Sequence, residues 1–164
     1  MVRSARVANS EMPAYVVERL SQALDERGTA LSGTTVVVLG AAYRGGVKET
    51  AFSGVFATVA ELSQRGAHVV VHDPMFSDEE LRGFGWEPYH LGEPVEAAIL
   101  QADHAEYREL SESDLPGAKV IFDGRGILTP SRFPAARYLR VGGGASTDSD
   151  ATAAFANAKL ATDA

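Results

Sequence analysis

The sequence predicts an α/β fold, a mainly parallel and doubly wound sheet preceded by an N-terminal helix. Two observations predict it. Short β-branched runs alternate with helical patterns along most of the chain, the spacing of βαβ units. Those runs are apolar throughout rather than alternately apolar and polar, as strands covered on both faces must be. Right-handed crossovers between such strands place helices on both faces. With 164 residues, the chain makes one ordinary domain with a core of its own.

The elements follow in order. Asn9 and Ser10 are good N-caps and Pro13 suits a first turn, so a helix of about four turns is expected to start there. Val16, Leu20, Ala23 and Leu24 recur at helical spacing, and Gly28 supplies a stop. Thr35 to Leu39 (TVVVL) is the first buried strand. A Gly-rich loop from Gly40 to Thr50 follows, then a helix starting near Phe52 or Ser53 and striped by Val55, Phe56, Val59 and Leu62. His68 to His72 (HVVVH) is a second strand, closed by Asp73-Pro74. Ser77 with Glu80 three residues on makes a capping box. Gly83 to Gly92 is turn-rich and ambiguous. Ala97 to Ala102 reads as strand or helix on periodicity alone, and a strand after a short helix near Glu93 is the preferred reading. His104 to Leu110 is expected as a short helix, with strands at Lys119–Phe122 and Tyr138–Val141. After Gly142-Gly143-Gly144 the chain is a flexible or loosely helical tail.

Bulk properties narrow the function. The hydrophobic fraction is 45% and the charged fraction 23%, as in soluble globular proteins. No apolar run is long enough for a membrane span, and the N-terminus lacks a signal-peptide core, so the cytoplasm is the default location. The net charge of −7 argues against nucleic acid, which is held by Lys and Arg on phosphates. There is no Cys, hence no disulfide, thiolate metal site or cysteine nucleophile. The four His are scattered, and no nucleophile elbow supports a hydrolase triad. Neither a metal site nor a catalytic residue is assigned.

In an open parallel sheet, ligands bind beyond the carboxyl ends of the strands. The stretch GAAYRGGVKETAFS (Gly40–Ser53) lies there, between a strand and a helix start, where amides and the positive helix end meet phosphates. It is not G-x-G-x-x-G, since Ala42 takes the place of the second Gly, which argues against an ordinary dinucleotide site. Arg44 and Lys48 supply charge for a diphosphate, and Tyr43 stacks on a base or packs in the core; the alternative is a plain turn with solvated charges. Asp73 is either an acid for a ribose hydroxyl or an Asp-Pro turn. Asp123-Gly124-Arg125-Gly126 carries one guanidinium, for a neighbouring carboxylate or a ligand. His104 beside Asp103 reads as a helix N-terminal His.

These residues resemble a known family. ARVANSEMPAYVVERL, VVVLGAAYRGGVKETAFS, RGAHVVVHDP, LQADHAEYREL and VIFDGRGIL occur in the order found in the C-terminal part of the UDP-glucose/GDP-mannose dehydrogenase family. The likeness is nearest to its UDP-N-acetylmannosamine dehydrogenase branch and covers about Arg6 to Leu128. It implies a Rossmann-like UDP-sugar-binding domain over residues 33–144. Residues 1–32 are then a helix and linker from a central dimerisation region, and residues 145–164 the tail.

The resemblance also implies an activity that this chain does not carry alone: oxidation of a sugar C6 hydroxyl to a carboxylate with NAD. In the family an N-terminal domain holds NAD and the catalytic Cys, so neither is expected here and that domain is an expected partner. Tyr43 and Arg44 match the aromatic–basic pair that contacts UDP, and Arg125 matches the Arg of the D-x-R turn. Arg44, Lys48 and the amides near Gly45 and Gly46 are then expected on the diphosphate, with Tyr43 and Arg125 on the uridine and Asp73 and Asp123 as further candidates. Ala51 stands where many relatives have an Arg near the cofactor, and Gly54 replaces a usual Pro. The alternative is a non-catalytic assembly domain, a homodimer built on the opening helix.

Overall fold

The computed structural model describes residues 2–51 and 53–141, with residues 2–10 as backbone alone. Six parallel strands form one sheet: β1 (Thr35–Leu39), β2 (His68–His72), β3 (Glu87–Pro88), β4 (Ala97–Leu100), β5 (Val120–Asp123) and β6 (Arg137–Arg140). Their order is β3-β2-β1-β4-β5-β6. The chain builds outward from β1 to β3, then returns to the other side of β1 for β4. That reversal opens a crevice between the loops leaving β1 and β4, the place where α/β sheets hold ligands. Register aligns the rim: Leu39 pairs with both His72 and Leu100, Leu100 with Asp123, and Asp123 with Arg140.

Alternation along the strands divides the core into two layers. Val36, Val38, Ile99 and Phe122 face one side, where α1 (Val2–Glu26), α2 (Val55–Gln64) and α3 (Asp78–Gly83) cover them. Val17, Leu20 and Leu24 of α1 and Leu62 of α2 are wholly buried there. Val37, Leu39, Ala98 and Ile121 face the other side, under Tyr107, Leu110, Leu115 and Phe133. Both faces are therefore covered. The second cover, however, is made of connecting loops and two 3-10 turns, Ala105–Glu109 and Pro130–Arg132, rather than α-helices. Pro116, Gly117, Gly124, Gly126, Pro130 and Pro134 punctuate those segments too densely for a longer helix.

Other boundaries also differ from expectation. The backbone of α1 is helical from Val2, so Asn9 and Ser10 lie inside the helix and Pro13 is an interior residue. Asn9, Ser10 and Pro13 carry the local signature of a helix start, which hid that extension from the sequence. The short helix expected near Glu93 is a turn, closed by Glu93 N–H to the His90 carbonyl at 3.1 Å. β3 has only two residues and pairs with β2 alone, too little to leave a periodic signal. α2 starts at Val55 with Gly54 as its N-cap. The capping box at α3 is formed as expected, with Ser77 and Glu80 bonding each other's backbone amides. The tail expectations lie outside the described residues.

Candidate functional site

The loop from β1 to α2 presses against the chain leaving β4. A side-chain carbon added at Gly40, where φ is +102°, would stand 2.5 Å from the Ala102 Cβ. One added at Gly45 would stand 2.1 Å from the Asp103 carbonyl oxygen. Only glycine permits such approach.

The loop's amides are turned inward. Ala41 and Ala42 donate to Asp73 Oδ2 at 2.8 and 3.2 Å, and Tyr43 to the Glu49 carbonyl at 2.9 Å. Gly45 donates to Asp103 Oδ1 at 2.7 Å and Gly46 to His104 Nδ1 at 3.1 Å. The amides of Gly45 and Gly46, expected on a diphosphate, are thus hydrogen-bonded within the protein. Asp73 also accepts from Met75 N–H at 2.8 Å and from His104 Nε2 at 2.8 Å. At 3% exposure it is buried. It is a structural acceptor at an Asp-Pro turn.

His104 is not simply a helix-terminal residue. Because Gly46 N–H donates to Nδ1, that nitrogen carries the lone pair, and Nε2 carries the proton given to Asp73. Asp103 is held below the usual carboxylate range, first by the Gly45 amide. Sequence reading missed both as partners of the Gly-Gly turn. Their signal was an acceptor pair, Asp-His, just after a strand that neighbours the Gly-rich loop.

Beyond this braced loop, cationic and aromatic side chains gather. Arg125 Nε donates to the Gln101 carbonyl at 3.0 Å and its Nη2 to the Tyr43 carbonyl at 2.9 Å, joining the loops after β1, β4 and β5. The Arg44 guanidinium lies over the exposed Tyr43 ring, 5.5 Å from its centroid. Arg44 and Arg125 therefore share one edge of the sheet, both through Tyr43. Lys48 is turned elsewhere: it pairs with Glu80 at 2.6 Å and lies over Phe76. Asp123 is wholly buried, accepting the amides of Arg125, Gly126 and Leu128 and, at 2.6 Å, the Tyr138 hydroxyl. It shapes the turn that presents Arg125.

A cleft of about 340 Å³ opens beside Tyr43, lined by Met12 and Pro13 of α1, Gly54 and Thr58 at the start of α2, Gln101 and Arg125. A second hollow of about 300 Å³, also lined by Met12, Gln101 and Arg125, continues it over Phe122 and Gly124. This is space for a small polar ligand with an apolar wall, a stacking ring and guanidinium donors. On the β1–β2 side the strand-end acid is buried and the loop amides of Ala41 and Ala42 are engaged. No helix among the described residues is long and apolar enough to cross a membrane.

Comparison with known proteins gives the family. Residues 37–130 match the model of the UDP-glucose/GDP-mannose dehydrogenase family, UDP binding domain. A UDP-N-acetyl-D-mannosamine dehydrogenase of Pyrococcus horikoshii is 28% identical over 131 residues, covering 78% of this chain and 30% of that protein. The structure of a UDP-D-ManNAc dehydrogenase from the same organism superposes with a TM-score of 0.67 at 24% identity, over 86% of this chain and 33% of the other. A UDP-N-acetyl-mannosamine dehydrogenase of Staphylococcus aureus gives 0.63 at 28% identity, over 80% and 31%. This chain spans about a third of the length of these relatives. With a reversed parallel sheet, a braced Gly-rich loop and a match over most of the strands, the chain belongs to the UDP-glucose/GDP-mannose dehydrogenase family, where it corresponds to the UDP binding domain.

Proposed function

We propose that this chain is the UDP-sugar-binding domain of an NAD-dependent nucleotide-sugar 6-dehydrogenase, working with a separate domain that holds NAD and supplies the reactive thiol. The observation that carries this reading is the convergence of Arg44, Tyr43 and Arg125 on one rim beside the cleft. Two of the Arg125 donors hold the protein's own carbonyls, and the rest of the guanidinium serves the ligand. Arg44 neutralises the diphosphate, and Tyr43 offers its face to the uracil. Because the loop amides are engaged, phosphate is gripped by side chains. The binding energy fixes the sugar for chemistry supplied by the other domain. The sequence contains no Cys, in keeping with that division of labour.

Titration calorimetry with UDP tests this. Charge-assisted contacts contribute about 1.5–3 kcal/mol each, so Arg44→Ala with Arg125→Ala is expected to weaken UDP roughly a hundredfold or more. Unchanged affinity in the double variant removes both residues from the site.

A second reading, assembly, is favoured by Met12 and Tyr15, which are 39% and 45% exposed on α1. A dimer in sedimentation, with no affinity for UDP, would support it instead.

A further inference from the structure

We infer that Asp103 and His104 are positioning residues for the ligand loop: consecutive side chains at the end of β4 that grip the consecutive amides of Gly45 and Gly46, and thereby place Tyr43 and Arg44. The inference rests on the UDP-binding reading, which it deepens.

Three features carry it. First, neither residue lines the cleft, yet both hold the loop that does, at 2.7 Å from Asp103 Oδ1 and 3.1 Å from His104 Nδ1. Second, the contact is built into the backbone, because Gly45 packs directly on the Asp103 carbonyl with no room for a side chain. Third, the grip continues into β2. His104 Nε2–H reaches Asp73 Oδ2, which accepts Ala41 and Ala42. The loop after β1 is thus held from both neighbouring strands, and Tyr43 and Arg44 sit in the span between the two grips.

The His104 ring is itself held in place. It faces the Asp73 carboxylate at 2.8 Å and the Tyr107 ring, with centroids 5.5 Å apart.

The test uses this chain and UDP-glucose. Asp103→Ala is expected to weaken UDP-glucose about tenfold, and Asp103→Asn, whose carboxamide oxygen still accepts from Gly45, to restore most of it. His104→Ala is expected to weaken UDP-glucose as well, and His104→Asn, whose carboxamide oxygen can accept from Gly46, to recover part of it. Equal weakening by Asp103→Asn and Asp103→Ala, or unchanged affinity in His104→Ala, overturns the inference. A ligand-free readout separates it from the UDP reading: amide exchange of Gly45 and Gly46. If wild-type protein ignores UDP-glucose, the ligand reading fails. Protection of Gly45 that survives Asp103→Ala in a folded protein overturns the grip itself.

Discussion

Replacing Asp73 by Ala removes one acceptor from four donors at once: the amides of Ala41, Ala42 and Met75, and Nε2 of His104. Three of the four belong to residues no more than 1% exposed. A buried donor left unpaired costs about 1–3 kcal/mol, so the three together span about 3–9 kcal/mol. Water entering the vacated space re-pairs some of them, which places the expected loss near the lower end, about 3–5 kcal/mol. Against a total stability of about 5–15 kcal/mol this is a severe change. Asp73→Asn keeps one acceptor oxygen for the loop and turns an N–H₂ toward the Met75 amide, so a loss of about 1–2 kcal/mol is expected. The assay is urea unfolding followed by the fluorescence of the single Trp. Trp86 packs against Phe56 and Phe84 at 4.9 and 5.0 Å between centroids, on the layer covered by α2 and α3. A loss below about 1 kcal/mol for Asp73→Ala would show that the Asp73 bonds do not hold the loop, and the reasoning would fail.

Two further outcomes are expected. Gly45→Ala sets a methyl 2.1 Å from the Asp103 carbonyl oxygen, whereas Gly46→Ala meets nothing within 4 Å and suffers only its φ of +73°. Urea midpoints should therefore show a loss of about 2 kcal/mol or more for Gly45→Ala and about 1 kcal/mol for Gly46→Ala; the reverse ranking would mean the two loops do not touch as described. Two histidines should bend the pH profile of stability in opposite senses. His90 is raised by its hydrogen bonds to Glu93 and Asp78, so its contribution is full below the ordinary His value of about 6.5 and fades as pH climbs through the raised one. His72 is lowered chiefly by burial, so its contribution is present above about 6.5 and is lost as pH falls through the lowered value. Unfolding of His90→Gln and His72→Gln across pH reads both: the first gap should widen toward acid and the second shrink.

Much of the fold was legible because its strands are short, apolar runs with clear boundaries. TVVVL, HVVVH and KVIF could be read directly, and Ser77 with Glu80 fixed the start of α3. What stayed hidden was set by tertiary contact. β3 exists only because Glu87 and Pro88 lie alongside Val70 and Val71. α1 carries on through Pro13, where local rules start a helix. At the site, Tyr43, Arg44 and Arg125 do gather at one edge. The reading of Lys48 and of the glycine amides was less complete, because a cation pairs with whichever anion the fold brings near, and Glu80 lies 32 residues away. Asp103 and His104 were visible as types, but their partners emerge only once β4 is known to lie beside β1.

The inward-turned loop has a thermodynamic consequence. Phosphate cradles made of free amides remain frustrated until an anion arrives, and they commonly tighten around it. Here five of the six amides from Ala41 to Gly46 already have partners, so the loop's shape is settled beforehand. A guest at this rim meets a preorganised wall and loses little affinity to ordering the backbone. On the proposed UDP-binding reading, selectivity then falls to a handful of exposed side chains, and exchanging Arg44 or Tyr43 is expected to alter what is held without disturbing the frame beneath.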